Sequence, residues 1–112
     1  MLDGLAGSLE RYMTLLGVRQ RLVASNLANA DTPGYKTRDI NFQAEFQSFL
    51  DNPAPAITEP DGLATRNDGN NVSVDREARL LAENALRFNV ASALVRSEIR
   101  AIRSAIQEGK NS

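Results

Sequence analysis

The chain has 112 residues, 13 Lys and Arg against 14 Asp and Glu for a formal charge of −1, and neither cysteine nor histidine. That length allows one modest domain, and the charge balance argues against nucleic-acid binding through excess positive charge or a polybasic membrane anchor. Without Cys or His there is no disulfide, thiol nucleophile, thiolate or imidazole zinc site, nor the commonest general base, while the redox compartment stays open.

At the N-terminus, "MLDGLAGSLERYMTLL" carries Asp3 and Glu10 where a secretory leader needs a basic start and an unbroken apolar core. The longest uncharged stretch, Leu22 to Ala30, is far short of the roughly 20 residues that span a bilayer. Neither a cleaved signal peptide nor a membrane helix is expected. The first predicted element is a helix over about 5–28. Leu2, Leu9, Leu16, Val23 and Ala30 form one line along it, and Ala6, Met13, Gln20 and Leu27 the alternating one. Gly4 and Gly7 weaken its start, and Gly17 costs about 1 kcal/mol relative to Ala.

This helix runs into "NLANADTPGY", residues 26–35. Asn can take the left-handed conformation of a C-cap, and its amide can satisfy orphan carbonyls. Pro33 pushes Thr32 out of helical geometry, and Pro33-Gly34 predicts a type II turn in which Gly takes positive φ. Tyr35 has a ring to lay against a neighbouring helix. Taken alone, the block reads equally as a well-capped helix with a surface tyrosine. Next, Phe42, Phe46 and Phe49 at i, i+4 and i+7 predict a short amphipathic helix ending before Pro53. The Pro- and Gly-rich stretch that follows predicts extended or mobile chain, with Asn67-Asp68-Gly69-Asn70 as a tight turn of the two-residue hairpin kind.

Beyond it, Val74, Ala78, Leu81, Ala85, Phe88, Ser92, Val95, Ile99, Ile102 and Ile106 recur at alternating spacings of 4 and 3. This heptad seam predicts a helix over about 75–107, roughly 50 Å long, with Asp75 as N-cap and Gly109 as stop. The fold class expected is mainly α, one domain over 1–112. An N-terminal helix (1–30) and a C-terminal helix (71–112) pack as an antiparallel coiled-coil pair, joined by a partly extended or mobile middle (31–70). Two helices of this size bury too little surface for robust stability. Leu5, Tyr12, Leu22, Leu86, Ala91, Leu94 and Ala101 lie off the main lines, so surplus apolar surface predicts neighbours. Head-to-tail copies whose rotation does not close form a helical tube. The packing seam is assigned to Leu9, Leu16, Val23, Leu27, Leu81, Phe88, Val95, Ile99, Ile102 and Ile106. Arg96, Arg100 and Arg103 make a basic edge: a solvated face, or salt-sensitive partners for Asp3, Glu10 or Asp75 of a neighbour. Asp31, Tyr35, Lys36 and Asp39 crowd one turn without a catalytic constellation, and "DGNNVSVD" lacks the ligand alternation of a calcium loop. No enzyme activity, metal, cofactor or small-molecule substrate is expected.

"LVASNLANADTPGYKTRDINF" resembles the N-terminal signature of the bacterial flagellar rod and hook axial family. "DGNNVSVDREARLLAENALRFNVASALVRSEIRAIRSAI" resembles the C-terminal helix of its short, cell-proximal rod members. The resemblance covers 5–50 and 68–106. It places Asn26, Asn29, Thr32, Gly34 and Tyr35 on one assembly motif, and Asp68, Gly69, Asn70, Val72 and Asp75 on a second. Ser73 stands where an acidic residue is expected. The resemblance implies a structural subunit of the basal-body rod on the periplasmic side. Its implied partners are further copies, other rod proteins, the adaptor at the rod–membrane-ring junction and the flagellar type III export apparatus, which would deliver it without a cleaved signal. Phe42 and Phe46 fit the Phe-x-x-x-apolar pattern of early export substrates; the plainer reading is a small helix packed on its own subunit. A free-standing coiled-coil adaptor or dimerisation module is the alternative.

Overall fold

A computed structural model describes residues 2–48 and 54–111. In chain order they form α1 (Leu2–Ala28), β1 (Asp39–Ile40), α2 (Phe42–Gln47), β2 (Ile57–Thr58) and α3 (Val74–Asn111). The chain is mainly helical, as expected, with little regular structure in its middle. It measures 71 × 27 × 17 Å with a radius of gyration of 18.6 Å, where a compact domain of this length has about 13 Å. Helices are 10–12 Å across, so the molecule is one layer thick.

α1 and α3 lie side by side and bury Leu9, Leu15, Leu16 and Val23 from α1 against Leu80 and Ala91 from α3. Leu9, Leu16 and Val23 of the first expected line of α1 are therefore core, and Ala30 is half-buried. In the alternating line Met13 and Leu27 are half-buried, while Ala6 and Gln20 are exposed.

On α3 the heptad seam is not the line that is buried. Glu77, Leu80, Asn84 and Ala91 are buried, each one residue ahead of the seam positions Ala78, Leu81, Ala85 and Ser92. One residue is about 100° of helix rotation at 3.6 residues per turn. Leu81, Phe88, Ile99, Ile102 and Ile106 are exposed, and Val95 is half-buried. Asn84 holds this rotation: its Nδ2 donates to the Leu16 carbonyl at 2.8 Å and to Gln20 Oε1 at 3.4 Å. A buried amide with such partners resists turning away, because the donor would be left unsatisfied.

The ends of the long helices differ from the sequence expectations. α1 already runs from Leu2, despite Gly4 and Gly7. α3 starts at Val74, so its N-cap is Ser73, whose Oγ accepts the Arg76 N–H at 3.2 Å. Asp75 instead sits in the first turn, where a carboxylate favours the helix dipole. Gly109 stops nothing, since the helix continues to Asn111.

In the middle, Asn41 caps α2 by accepting the Ala44 N–H at 3.2 Å. Phe42 and Phe46 stand edge-on to Tyr12 of α1, with ring centroids 5.3 and 5.7 Å away, and the Arg87 guanidinium lies over Phe42. Phe49 falls outside the described residues. β1 and β2 pair antiparallel, Asp39 opposite Thr58 and Ile40 opposite Ile57. Glu45 Oε1 accepts the Ala56 N–H at 3.0 Å, tying this strand to α2.

Candidate functional site: a clasp joining the two motif segments

The residues of "NLANADTPGY" and "DGNNV" meet in one place, where the chain leaves α1 and where it enters α3. The last turn of α1 tightens rather than reversing hand: Asn29 N–H reaches both Ser25 and Asn26 carbonyls, at 3.0 and 3.2 Å, and Thr32 N–H reaches the Asn29 carbonyl at 3.0 Å. Among the described residues no non-glycine has positive φ, so the left-handed asparagine cap expected from sequence is not formed. Asn29 Nδ2 donates to the Ser25 carbonyl at 2.9 Å, which already accepts the Asn29 N–H and is thus no orphan, and Thr32 Oγ1 donates to Asn29 Oδ1 at 3.0 Å. Thr32 to Tyr35 form the type II turn, closed by Tyr35 N–H to the Thr32 carbonyl at 3.2 Å, with Gly34 at φ +77°.

Asn26 is fully buried and uses its whole amide. Nδ2 donates to the Arg38 carbonyl at 2.8 Å, and Oδ1 accepts from Arg38 N–H and from the Tyr35 hydroxyl, both at 3.1 Å. Ser25 Oγ lies 3.3 Å from the same hydroxyl. One asparagine thus folds the chain after the turn back along α1.

The second motif completes the clasp. Arg66 to Gly69 make a turn, with Gly69 N–H to Arg66 carbonyl at 2.9 Å and Arg66 N–H to Asn70 carbonyl at 2.8 Å. With Gly69 at φ +85°, this is a three-residue connection ending in a glycine bulge, not the expected two-residue hairpin. Gly34 and Gly69 approach closely: a Cβ on Gly69 would lie 3.3 Å from Gly34 Cα. Gly34 N–H donates to the Asp68 carbonyl at 2.8 Å, and Asn71 N–H to the Tyr35 carbonyl at 3.2 Å. Asn70, fully buried, spans the joint: Nδ2 donates to the Asn29 and Thr32 carbonyls at 2.9 and 2.8 Å, while Oδ1 accepts Val72 N–H at 2.8 Å. Thr37 N–H donates to Asn71 Oδ1 at 2.7 Å, and Lys36 Nζ donates to the Gly69 carbonyl.

Beside the clasp sits an ion cluster the sequence did not disclose. Arg19 grips Asp39 with two hydrogen bonds, Nε at 3.1 Å and Nη2 at 2.9 Å. Arg76 Nη2 reaches the same carboxylate, and its Nη1 pairs with Glu77 at 2.8 Å. Burial pushes the Asp39 carboxyl up, but the hydrogen bonds from Arg19 and Arg76 and the Ile40 N–H outweigh it, leaving it below its ordinary value. α1, β1 and α3 are bridged by this one side chain.

The structure therefore unites Asn26, Asn29, Thr32, Gly34, Tyr35, Asp68, Gly69, Asn70 and Val72 within a single chain. Asp75 stays out of the clasp, on the exposed first turn of α3. Leu9, Leu16 and Val23 are core, Leu27 and Val95 are half-buried, and Leu81, Phe88, Ile99, Ile102 and Ile106 are exposed. Phe42 and Phe46 belong to the Tyr12 cluster. Sequence reasoning missed Asn71, Thr37, Arg19, Arg76, Glu77 and Asn84. Asparagine density in "NDGNN" was the available signal for Asn71; the rest depend on which segments fold together. The clasp consists of amides, hydroxyls and backbone groups that satisfy one another, an arrangement that fixes geometry.

A family model described as "Flagella basal body rod protein" matches residues 13–36, the end of α1 and the first motif. The chain is 31% identical to the flagellar basal body rod protein FlgB of Yersinia ruckeri, over 97% of this chain and all of the relative. It is 30% identical to that of Escherichia coli K12, over 97% and 99%, and 33% identical to that of Cereibacter sphaeroides, over 85% and 88%. The Yersinia alignment spans 137 positions, more than the 112 residues here, so that relative carries residues without a counterpart in this chain. Near-complete coverage at this identity takes in both motif segments and both long helices, and on that ground the chain belongs to the FlgB family of flagellar basal body rod proteins.

Proposed function

We propose that this chain is a structural subunit of the proximal rod of the flagellar basal body, on its periplasmic side. Its terminal helices run antiparallel within each copy and pack by coiled-coil contacts with those of neighbours. The product is a helical tube that surrounds the export channel and passes torque outward. The observation that carries this reading is the exposed seam. Leu81, Phe88, Ile99, Ile102 and Ile106 keep coiled-coil spacing along α3 yet stay exposed. A sustained heptad line marks one edge of a helix that faces a partner, and α1 leaves this one largely open. The names of the relatives, all rod proteins, support the same reading. Further copies, other rod proteins and the junction adaptor at the membrane ring are its partners, and the flagellar type III export apparatus delivers it without a cleaved signal. Phe42 and Phe46 serve as its export signal while the chain is unfolded. No cofactor takes part.

The test is a concentration series of the purified chain by sedimentation and circular dichroism. A rod subunit gains helix as large assemblies form. A discrete, fully helical dimer at every concentration would instead make it a free-standing adaptor.

A further inference from the structure

The helix pair has two unlike apolar faces, one on each side of its single layer. The first is a groove of about 550 Å³ between α1 and α3, walled by Leu9, Met13, Val95, Ile99 and Ile102. The second, about 330 Å³, is walled by Leu5, Tyr12, Phe46, Val90 and Leu94. Leu9 lines both, from either side. Val90 and Ile99 are nine residues apart, two and a half turns, and so point in opposite directions from α3. Leu94 and Ile99 are 51% and 44% exposed.

We infer that these are the two docking surfaces of successive copies: the Ile99 face of one chain seats on the Leu94 face of the next. This rests on the rod-subunit reading and assigns its contact. Two observations favour a second copy as occupant. If like faces met across a two-fold axis, one apolar face would stay bare on each outer side. Only the unlike pairing covers both with a single kind of contact, and such heterologous contacts propagate. Finally, the charges complement. The first groove carries Glu10 and Glu98, while Tyr12 in the wall of the second packs on Phe42, over which lies the guanidinium of Arg87, paired with Glu83 at 2.6 Å.

The test uses two variants, Ile99→Asp and Leu94→Asp, each damaging one face at an exposed position. Circular dichroism first establishes that each keeps the helicity of the wild-type chain at low concentration. Each variant alone should sediment as a single copy where the wild type forms large species. A 1:1 mixture should form a species of twice the mass, because each supplies the face the other lacks. The inference is overturned if the mixture stays at single-copy mass, or if either variant alone assembles like the wild type. Failure of the wild type itself to assemble would defeat the rod reading as well, so the two failures are distinct.

Discussion

At the scale of residues, Asp39 does the most with one side chain. Its carboxylate takes both nitrogens of the Arg19 fork and one from Arg76, and it is 4% exposed. Removing one partner of a buried pair leaves the others desolvated and uncompensated, at a cost on the order of 3 kcal/mol. Asp39→Asn is expected to destabilise the chain by about that much in urea titrations. The sign of the pH dependence follows from the depressed pKa. The carboxylate contribution is complete above the ordinary Asp value, 3.8, and is lost as pH falls through the lower folded value. The wild type should therefore shed stability in strong acid that the Asn variant never had; parallel pH profiles would contradict this. None of it was legible beforehand, because Arg19, Asp39 and Arg76 look like ordinary surface charges until three segments fold together. Gly34 was legible, since a Pro-Gly pair demands its backbone conformation locally. Phe42 carries two roles at different times: folded, it packs edge-on against Tyr12; unfolded, it is the proposed export signal. Phe42→Ala should lower secretion at equal expression, and normal secretion would remove the export role while leaving the packing intact.

At the scale of elements, adjacent residues of α3 separate the two uses of the helix. Leu80 is 8% exposed and Leu81 38%. Leu80 meets α1 within the chain, so Leu80→Ala should cost the isolated chain about 2–3 kcal/mol. Leu81→Ala should cost well under 1 kcal/mol there, yet weaken assembly, as read by sedimentation. Equal losses of stability would mean that the seam faces α1 after all. The same pair explains what a sequence can and cannot say here. Spacing alone predicted a long helix with one apolar edge, and both ends came within a few residues. Spacing does not say whose helix covers that edge. The choice was made by the buried amide of Asn84 and by the clasp, which fix how α3 is rotated as it leaves Ser73. A polar residue in the buried line lowers its apparent hydrophobicity, so Glu77, Leu80, Asn84 and Ala91 do not stand out as a line in the sequence. Ser73 was overlooked as a cap for a similar reason, with the acidic residue two positions later drawing attention to itself.

At the scale of the whole molecule, order is distributed unevenly along 71 Å. One end is sewn by the clasp and the Asp39 cluster, with Asn26, Thr37, Asn70 and Glu77 all fully buried. Towards the other end, every described residue of α3 from 99 to 110 is exposed, and a Cβ on Gly4 or Gly7 of α1 would find nothing within 4 Å. Local opening free energy follows buried contact and satisfied hydrogen bonds, so the two ends should open independently. In the isolated chain, amide exchange should be slowest around 26–38 and 66–84, and fast beyond about 98, where every described residue to 110 is exposed. Isolated helices of about 12–15 residues are marginal in water, and the last part of α3 is of that order. On assembly, the docking faces cover this distal half, and its exchange should slow far more than that of the clasp, which is already closed within one chain. Uniform protection along α3 in the isolated chain would show that the distal half needs no neighbour, and equal slowing of both ends would place the contacts elsewhere. A subunit built this way holds its turn in shape before it meets a partner and completes its helices only against the next copy.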